Sequence, residues 1–269
     1  MLTRLLMILN NREEFNAHCF IDDEGKHYAK YDNLIITSAF QAIMTPAMQP
    51  FAYEALARFS SETTRENIRP DILFDSEQVS ISKKINLDRL TRAIHVRNFA
   101  QSNKANLKLF LNVLPVSGEY NAFMAIKASL LEKRIAELGM DTKQVVMEIV
   151  ESAAFDDQLL LDATRSMQNA GFQVAMDDFG VKSSDFERLN LLNPEIVKID
   201  RSLLLDYMSG NGSALTDIVR AARRIDAKII TEGVEEEAQY NAMKALGIDF
   251  YQGYLFSMPE PLMCTAKVK

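Results

Sequence analysis

From residue 34 onward the chain alternates short apolar runs with longer stretches whose apolar residues recur at helical spacing. Strands are predicted over 34–44 and 50–56, the second as the hairpin partner of the first. A helix over 86–102 leads to a strand at 108–113, then a long helix over 119–138 stopped by Gly139. Next come a strand at 144–150 and a helix at 156–170, which Gly171 ends. The run Val174-Ala175-Met176-Asp177-Asp178-Phe179-Gly180 reads as a buried strand that meets two adjacent carboxylates. Side chains alternate along a strand, so Asp177 and Asp178 share one pocket only if the chain bends there. Gly180 makes a bend easy. Beyond it the pattern gives a short helix at 184–192, a strand at 196–199 and helices at 203–208 and 213–225. A strand at 227–231, a helix at 235–246 and a strand at 250–254 complete the series. Residues 1–34 are a weakly patterned lead-in, with a small hairpin over 20–28 turning at Glu24-Gly25. No low-complexity linker divides residues 35–269, which read as one domain.

Repeated strand–helix units fit either a parallel barrel or a doubly wound sheet. The polar residues separate the two. Nearly every predicted strand carries a hard polar group at or near its C-terminal end: Glu54, Asn112, Glu148, Asp177 with Asp178, Lys198, Glu232 and Gln252. A doubly wound sheet gathers such residues at one switch point, whereas a (β/α)8 barrel brings every C-terminal strand end to one rim. The spread favours the barrel. Each residue has a plain structural reading too. Glu148 and Lys198 sit in apolar strands and suit a buried ion pair, because an unpaired buried charge costs several kcal/mol. Asn112 suits backbone satisfaction, Glu54 with Arg58 a surface pair, and Glu232 with Glu235 the first turn of a helix, while Gln252, between Tyr251 and Gly253, says little by itself. The constellation outweighs these readings because they would have to hold independently on successive strands.

Composition narrows the chemistry. With 269 residues and 48% hydrophobic content, the chain is large enough for a substantial core. A net charge of −7 disfavours a long nucleic acid gripped through its phosphates. Cys19 and Cys264 lie far apart with no metal-ligand spacing, which disfavours a zinc site and points to a reducing compartment. The apolar opening is short and runs into Asn10-Asn11-Arg12-Glu13-Glu14, so neither a signal peptide nor a membrane span of roughly 20 apolar residues is expected. A cytoplasmic protein is the expectation. Oxygen donors without histidine or cysteine select hard cations, magnesium or manganese above zinc. No nucleophile elbow or glycine-rich phosphate loop is present. Metal-assisted hydrolysis, most naturally of a phosphate ester, is what remains.

These segments resemble a known family. Tyr53-Glu54-Ala55-Leu56-Ala57-Arg58 is similar to the Glu-Ala-Leu-x-Arg signature of EAL-domain cyclic di-GMP phosphodiesterases. The match continues in order through Leu111-Asn112, Met147 to Ser152, Asp177 to Gly180, Val197 to Ser202, Thr231 to Glu235 and Tyr251 to Ser257. It covers residues 36–262. The resemblance implies a TIM-like (β/α)8 barrel with an antiparallel first strand. It implies metal-dependent hydrolysis of cyclic di-GMP to linear pGpG by a metal-activated water, with two Mg2+ or Mn2+ ions. Glu54, Asn112, Glu148 and Asp177 would hold one ion. Asp177 would bridge to a second, placed by Asp178 and Glu232. Lys198 would lie beside the attacking water and the scissile phosphate. Glu54, Lys198, Glu232 and Asp178 are thus the catalytic set; Gln41, Arg58, Glu235 and Gln252 face the substrate, and Glu151 anchors the loop after Asp178. Two departures stand out. Val181-Lys182-Ser183-Ser184-Asp185 replaces the usual Thr-Gly-Tyr-Ser-Ser, and Ala42 replaces a usual proline. The first keeps open a catalytically weak or silent module that binds cyclic di-GMP or a protein partner. A barrel enzyme acting on another phosphate ester is the third reading. Homodimerisation follows from family habit alone, and no Gly-Gly-Asp-Glu-Phe stretch for making cyclic di-GMP occurs.

Overall fold

The computed structural model describes residues 8–113, 127–150, 157–180 and 186–265. Its strands are β1 (Cys19–Ile21), β2 (His27–Tyr31), β3 (Leu34–Met44), β4 (Pro50–Ser61), β5 (Asn67–Ile68) and β6 (Lys108–Val113). They continue as β7 (Val145–Val150), β8 (Gln173–Phe179), β9 (Ile196–Ile199), β10 (Lys228–Thr231) and β11 (Phe250–Gln252). The order β3-β11-β10-β9-β8-β7-β6-β4, with β3 also paired to β4, closes an eight-stranded barrel. β3 runs antiparallel to both neighbours, and the remaining barrel pairs are parallel. A barrel of this kind, with an inverted first strand, is what the segment pattern and the resemblance anticipated.

Closure follows from side-chain chemistry. The buried faces of β6, β7, β8 and β9 are almost wholly apolar, so helices cover them outside. That outer layer joins Leu109, Val145, Val174, Val197 and Ile229 to Leu160, Met167, Leu189, Ile218 and Met243. Within the barrel, Ile43, Ala52, Phe110, Val146, Ala175, Ile196 and Ile230 form a buried cluster, with Phe250 packed on it. Removing each large aliphatic of that floor from water contributes about 1.5–3 kcal/mol. No helix among the described residues is long and apolar enough to cross a membrane.

Several elements differ from the sequence expectation. β4 runs to Ser61 rather than 56, because its far half leaves the barrel and pairs with the first half of β3 and with β5. The hairpin of β1 and β2, turning through Asp22–Lys26, extends the same sheet from β3. A second core fills this extension, with Ala29, Tyr31, Ile36 and Phe59 against Leu87, Leu90 and Ile94. The helix Ile81–Ala100 begins earlier than expected, where Ser80 caps Lys83 N. Wedged between barrel and extension, it is buried on nearly every face, which removed the one-sided stripe that marks a surface helix. The short helices Arg12–His18 and Pro70–Phe74 carry too little periodicity to be read from the sequence. Of the predicted long helix over 119–138, Lys127–Glu137 is described and the rest lies outside the described residues.

β11 ends at Gln252 rather than 254. There Gln252 O accepts from Val234 N at 3.0 Å, and Val234 O accepts from Leu255 N at 3.0 Å. The backbones approach so closely that a Cβ on Gly253 would lie 2.1 Å from Val234 O. Gly253→Ala is therefore expected to lower stability by at least about 2 kcal/mol in urea unfolding. A variant as stable as the wild type would refute this reading.

The helix Ile81–Ala100 also carries a buried histidine. His95 is 3% exposed, and its Nδ1 lies 2.7 Å from Ser38 Oγ. Burial, with Arg58 and Arg92 nearby, pushes its imidazole from 6.5 down to about 3. Above 6.5 it is neutral folded or unfolded. Below that, the unfolded chain takes up a proton that the fold refuses, so stability falls as pH drops from 6.5 toward 3, by up to about 1.4 kcal/mol per unit. His95→Gln should flatten part of that fall between pH 7 and 5 in urea midpoints; parallel pH slopes would count against it.

Candidate functional site

The site is one layer of the barrel interior. Two residues beyond the apolar floor on each strand, toward the rim where the parallel strands end, stand Gln41, Glu54, Asn112, Glu148, Asp177, Lys198, Glu232 and Gln252. β3 is inverted, so its contribution, Gln41, precedes its floor residue Ile43, whereas the others follow theirs. Register places Gln41 opposite Glu54, Asn112 opposite Glu148, and Lys198 opposite Ile230. Period-two alternation points all eight side chains inward together.

Lys198 occupies the centre of this layer, 1% exposed. Its Nζ lies 2.5 Å from Glu148, 2.6 Å from Glu232, 2.9 Å from Asp177 and 3.7 Å from Glu54. The buried Glu148–Lys198 pair raised as the plain structural reading is therefore present, but within a larger cluster. Burial opposes the ammonium charge, yet Asp177, Glu148, Glu232 and Glu54 together hold its pKa well above the usual lysine value. One cation does not balance the acids. Burial, then repulsion from Glu54, raises the Glu148 carboxyl well above its ordinary range despite Lys198. Burial likewise pushes Glu232 up to about 8, with Asp177 and Glu54 adding to it.

The bend expected at the aspartate pair is present. Asp178 has φ 53°, and the β8–β9 register shifts between Met176 and Phe179. Aspartate tolerates this left-handed conformation better than most residues, and it turns Asp178 toward the side of its neighbour. Oxygens of Asp177, Asp178 and Glu232 all lie within 4.8 Å of one another. Burial and Asp177 push Asp178 up to about 6.

The donors fit a hard divalent cation. They are carboxylate and amide oxygens throughout, and several are short of partners. Both Glu148 oxygens and Asp177 Oδ1 are buried without an aligned hydrogen bond among the described residues, although Lys198 Nζ stands near them. Such oxygens gain from a charge at their centre.

The remaining predicted residues are placed as follows. Glu54 accepts from Asn112 Nδ2 at 3.2 Å and from Gln252 Nε2 at 2.6 Å. Gln41 and Gln252 are buried beside it, at 8% and 4% exposure. Arg58 is exposed four residues farther along the Glu54 face of β4, outside this cluster, and donates to Ala57 O. Glu235 is exposed and paired with Arg201 at 2.5 Å. Glu151 and the segment 181–185 lie outside the described residues. Sequence reasoning missed Arg201 as the partner of Glu235 and Ser257 as the contact of Gln41. Neither carries a spacing signal, because each pair joins segments far apart in the chain.

The model of the EAL domain matches residues 17–259. The chain belongs to the EAL domain family. The EAL chain is 29% identical over 220 residues to Cyclic di-GMP phosphodiesterase PdeF of Escherichia coli K12, covering 79% of this chain and 28% of that protein. It is 26% identical over 232 residues to the same organism's Probable cyclic di-GMP phosphodiesterase PdeN, covering 83% and 43%. The chain spans under a third of the first curated relatives, 28% of PdeF and 30% of Probable cyclic di-GMP phosphodiesterase PdeD. Among solved structures, a standalone versatile EAL protein from Vibrio cholerae O395 in its c-di-GMP bound form superposes with TM-score 0.72 at 24% identity, covering 86% of this chain and 94% of that one. Bacillus subtilis YkuI, with an EAL domain and in complex with c-di-GMP and calcium, gives TM-score 0.72 at 25% identity, covering 84% and 56%.

A cation lodged among these acids should stabilise the fold by mass action. Millimolar Mg2+ or Mn2+ is expected to raise the melting temperature by a few degrees, and Asp177→Asn to remove most of that rise. A melting temperature indifferent to both ions would argue against a metal centre.

Proposed function

We propose that this EAL domain hydrolyses cyclic di-GMP to linear pGpG with Mg2+ or Mn2+. The observation that carries the reading is the polar cluster on one barrel rim, in which Glu54, Glu148, Asp177 and Glu232 surround Lys198, with Asn112 on Glu54 and Asp178 beside Asp177 and Glu232. Glu54, Asn112, Glu148 and Asp177 would hold one ion, and Asp177, Asp178 and Glu232 a second. The ions would supply Lewis acidity at the phosphate and acidify water.

The chain's own residues do the rest. Water adds to phosphorus, the bond to one ribose 3′ oxygen breaks, and that oxygen takes a proton. Lys198 stays protonated within its acidic surroundings, so it brings fixed positive charge to the place where the phosphodiester gains negative charge. The acids keep it oriented in advance of the reaction. Asp178 and Glu232, whose carboxylate oxygens stand together at the rim, are the groups suited to accept a proton from water. Arg58, exposed beyond the layer, suits a phosphate at the rim, and Glu235, held by Arg201, suits a donor edge of a base.

The altered stretch Val181-Lys182-Ser183 favours a second reading, a module that binds cyclic di-GMP or a protein partner with little turnover. Chromatography of cyclic di-GMP incubated with the chain and Mn2+ separates the two. The expected outcome is conversion to pGpG, reduced at least about 100-fold in Glu54→Ala and in Lys198→Met. Nucleotide binding without product would establish the relay module instead.

A further inference from the structure

Gln41, Gln252 and Glu54 stand at the seam where inverted β3 closes the barrel. Gln252 Nε2 lies 2.6 Å from Glu54 Oε2 and 3.1 Å from Gln41 Oε1, and Gln41 Nε2 lies 3.0 Å from the carbonyl oxygen of Ser257. Either glutamine amide fits its space in two orientations, because its oxygen and nitrogen are alike in size. The two ends of the chain of contacts remove that freedom. A backbone carbonyl only accepts, so Gln41 must turn its NH2 to Ser257 and its oxygen to Gln252. Gln252 must then turn its NH2 to Gln41, and the same nitrogen has a second proton for the Glu54 carboxylate. Both protons are spent, and Gln252 Oε1 is buried with no partner among the described residues.

The anchor at Ser257 is itself held. Its Oγ accepts from Ala42 N at 3.0 Å, a bond that needs the N–H a proline at 42 would lack. Three residues on, Phe40 N donates to Glu260 O at 2.8 Å and Glu260 N to Phe40 O at 3.0 Å. Residues 257–260 thus form a strap tied to β3 on both sides of Gln41. The contact that sets the polarity rests on main chain, not on a mobile side chain.

We propose that Gln41 is a positioning residue: seated on the Ser257 carbonyl, it ties the Gln252 amide to the main chain and so holds the Glu54 carboxylate where a divalent cation would meet it. Each end of its amide makes a contact within the protein, which gives it this role beside any contact with nucleotide. Without Gln41, the Gln252 amide loses its tie to the Ser257 carbonyl, and with it the support that holds the Glu54 carboxylate in place beside Asn112. The proposal rests on the reading of Glu54 as a metal ligand given under Proposed function.

Mn2+ titration of the full chain without nucleotide, by calorimetry, tests it, with thermal melts to establish that each variant is folded. Gln41→Met is expected to weaken Mn2+ binding about 10-fold or more, as partners that orient a metal ligand commonly do. Gln252→Met should do the same. The double variant should bind no worse than Gln252→Met alone, since both residues act on Glu54 through one path. Purely structural roles would give additive losses, and additivity, or wild-type affinity in Gln41→Met, overturns the relay. Should Gln41→Met not fold, Gln41→Glu has the same size and sets an acceptor against the Ser257 carbonyl; an equal loss is expected, and unchanged affinity again overturns the relay. A wild-type chain that binds no Mn2+ overturns the relay together with the metal site. Bound Mn2+ without hydrolysis of cyclic di-GMP overturns the phosphodiesterase reading alone.

Discussion

The ammonium of Lys198 among the carboxylates of Glu148, Glu232, Asp177 and Glu54 is the contact on which the site depends. Moving one such charge from water into a protein interior costs several kcal/mol, and its attraction to well-placed partners repays that only with good geometry. Five ionisable side chains share this interior, so none can be treated as an isolated pair. Lys198 keeps its proton against the cost of burial because four acids surround it, and burial drives Glu148 and Glu232 toward holding theirs, with repulsion among the acids adding to it. The layer is thus built with a deficit of positive charge. A deficit of that kind is a liability for stability and an asset for binding a cation.

The barrel makes this tolerable by confining the charges to one level. Below them the floor from Ile43 to Ile230 is apolar and buried. Above them Asn112 and Asp178 reach the exposed rim. The step between floor and site is a single two-residue period on each strand, so alternation alone turns eight side chains into the same interior. Inverting β3 preserves the period but reverses its direction, which is how an amide from before the floor residue, Gln41, joins acids that all follow theirs. The inversion also frees the first half of β3 and the far half of β4 to leave the barrel and carry β1, β2 and β5.

Much of this was legible before any fold was known. Apolar runs ending in Glu148, Asp177 or Lys198 are hard to explain unless several meet, and the strands containing them fall close to where the pattern put them. The bend at Asp177-Asp178 was legible for a steric reason, since two neighbours on a regular strand face opposite ways. What was hidden had a common cause: it depends on contacts between segments remote in sequence. The plain alternation of β4 cannot show that its second half pairs outside the barrel. The helix Ile81–Ala100 has polar residues on every face because Asn98, His95 and Asn86 find partners in His27, Ser38 and Leu9, and no periodicity encodes that. Gln41 came from resemblance alone; its tie to Ser257 spans more than two hundred residues of chain.

The two amides at the seam also show why an uncharged link belongs beside so much charge. Asn112 and Gln252 donate to Glu54 without adding to the electrostatic imbalance, so they orient a carboxylate and leave its negative charge intact. A lysine or arginine in either place would neutralise Glu54 and weaken any claim a divalent ion has on it. The layer therefore divides the labour: Lys198 offsets charge at the centre, where the acids are deepest, while amides steer Glu54 from either side, Asn112 on β6 and Gln252 at the seam, where Gln41 ties it to the Ser257 carbonyl. That arrangement places orientation and charge balance on separate residues, so either can change without dismantling the other.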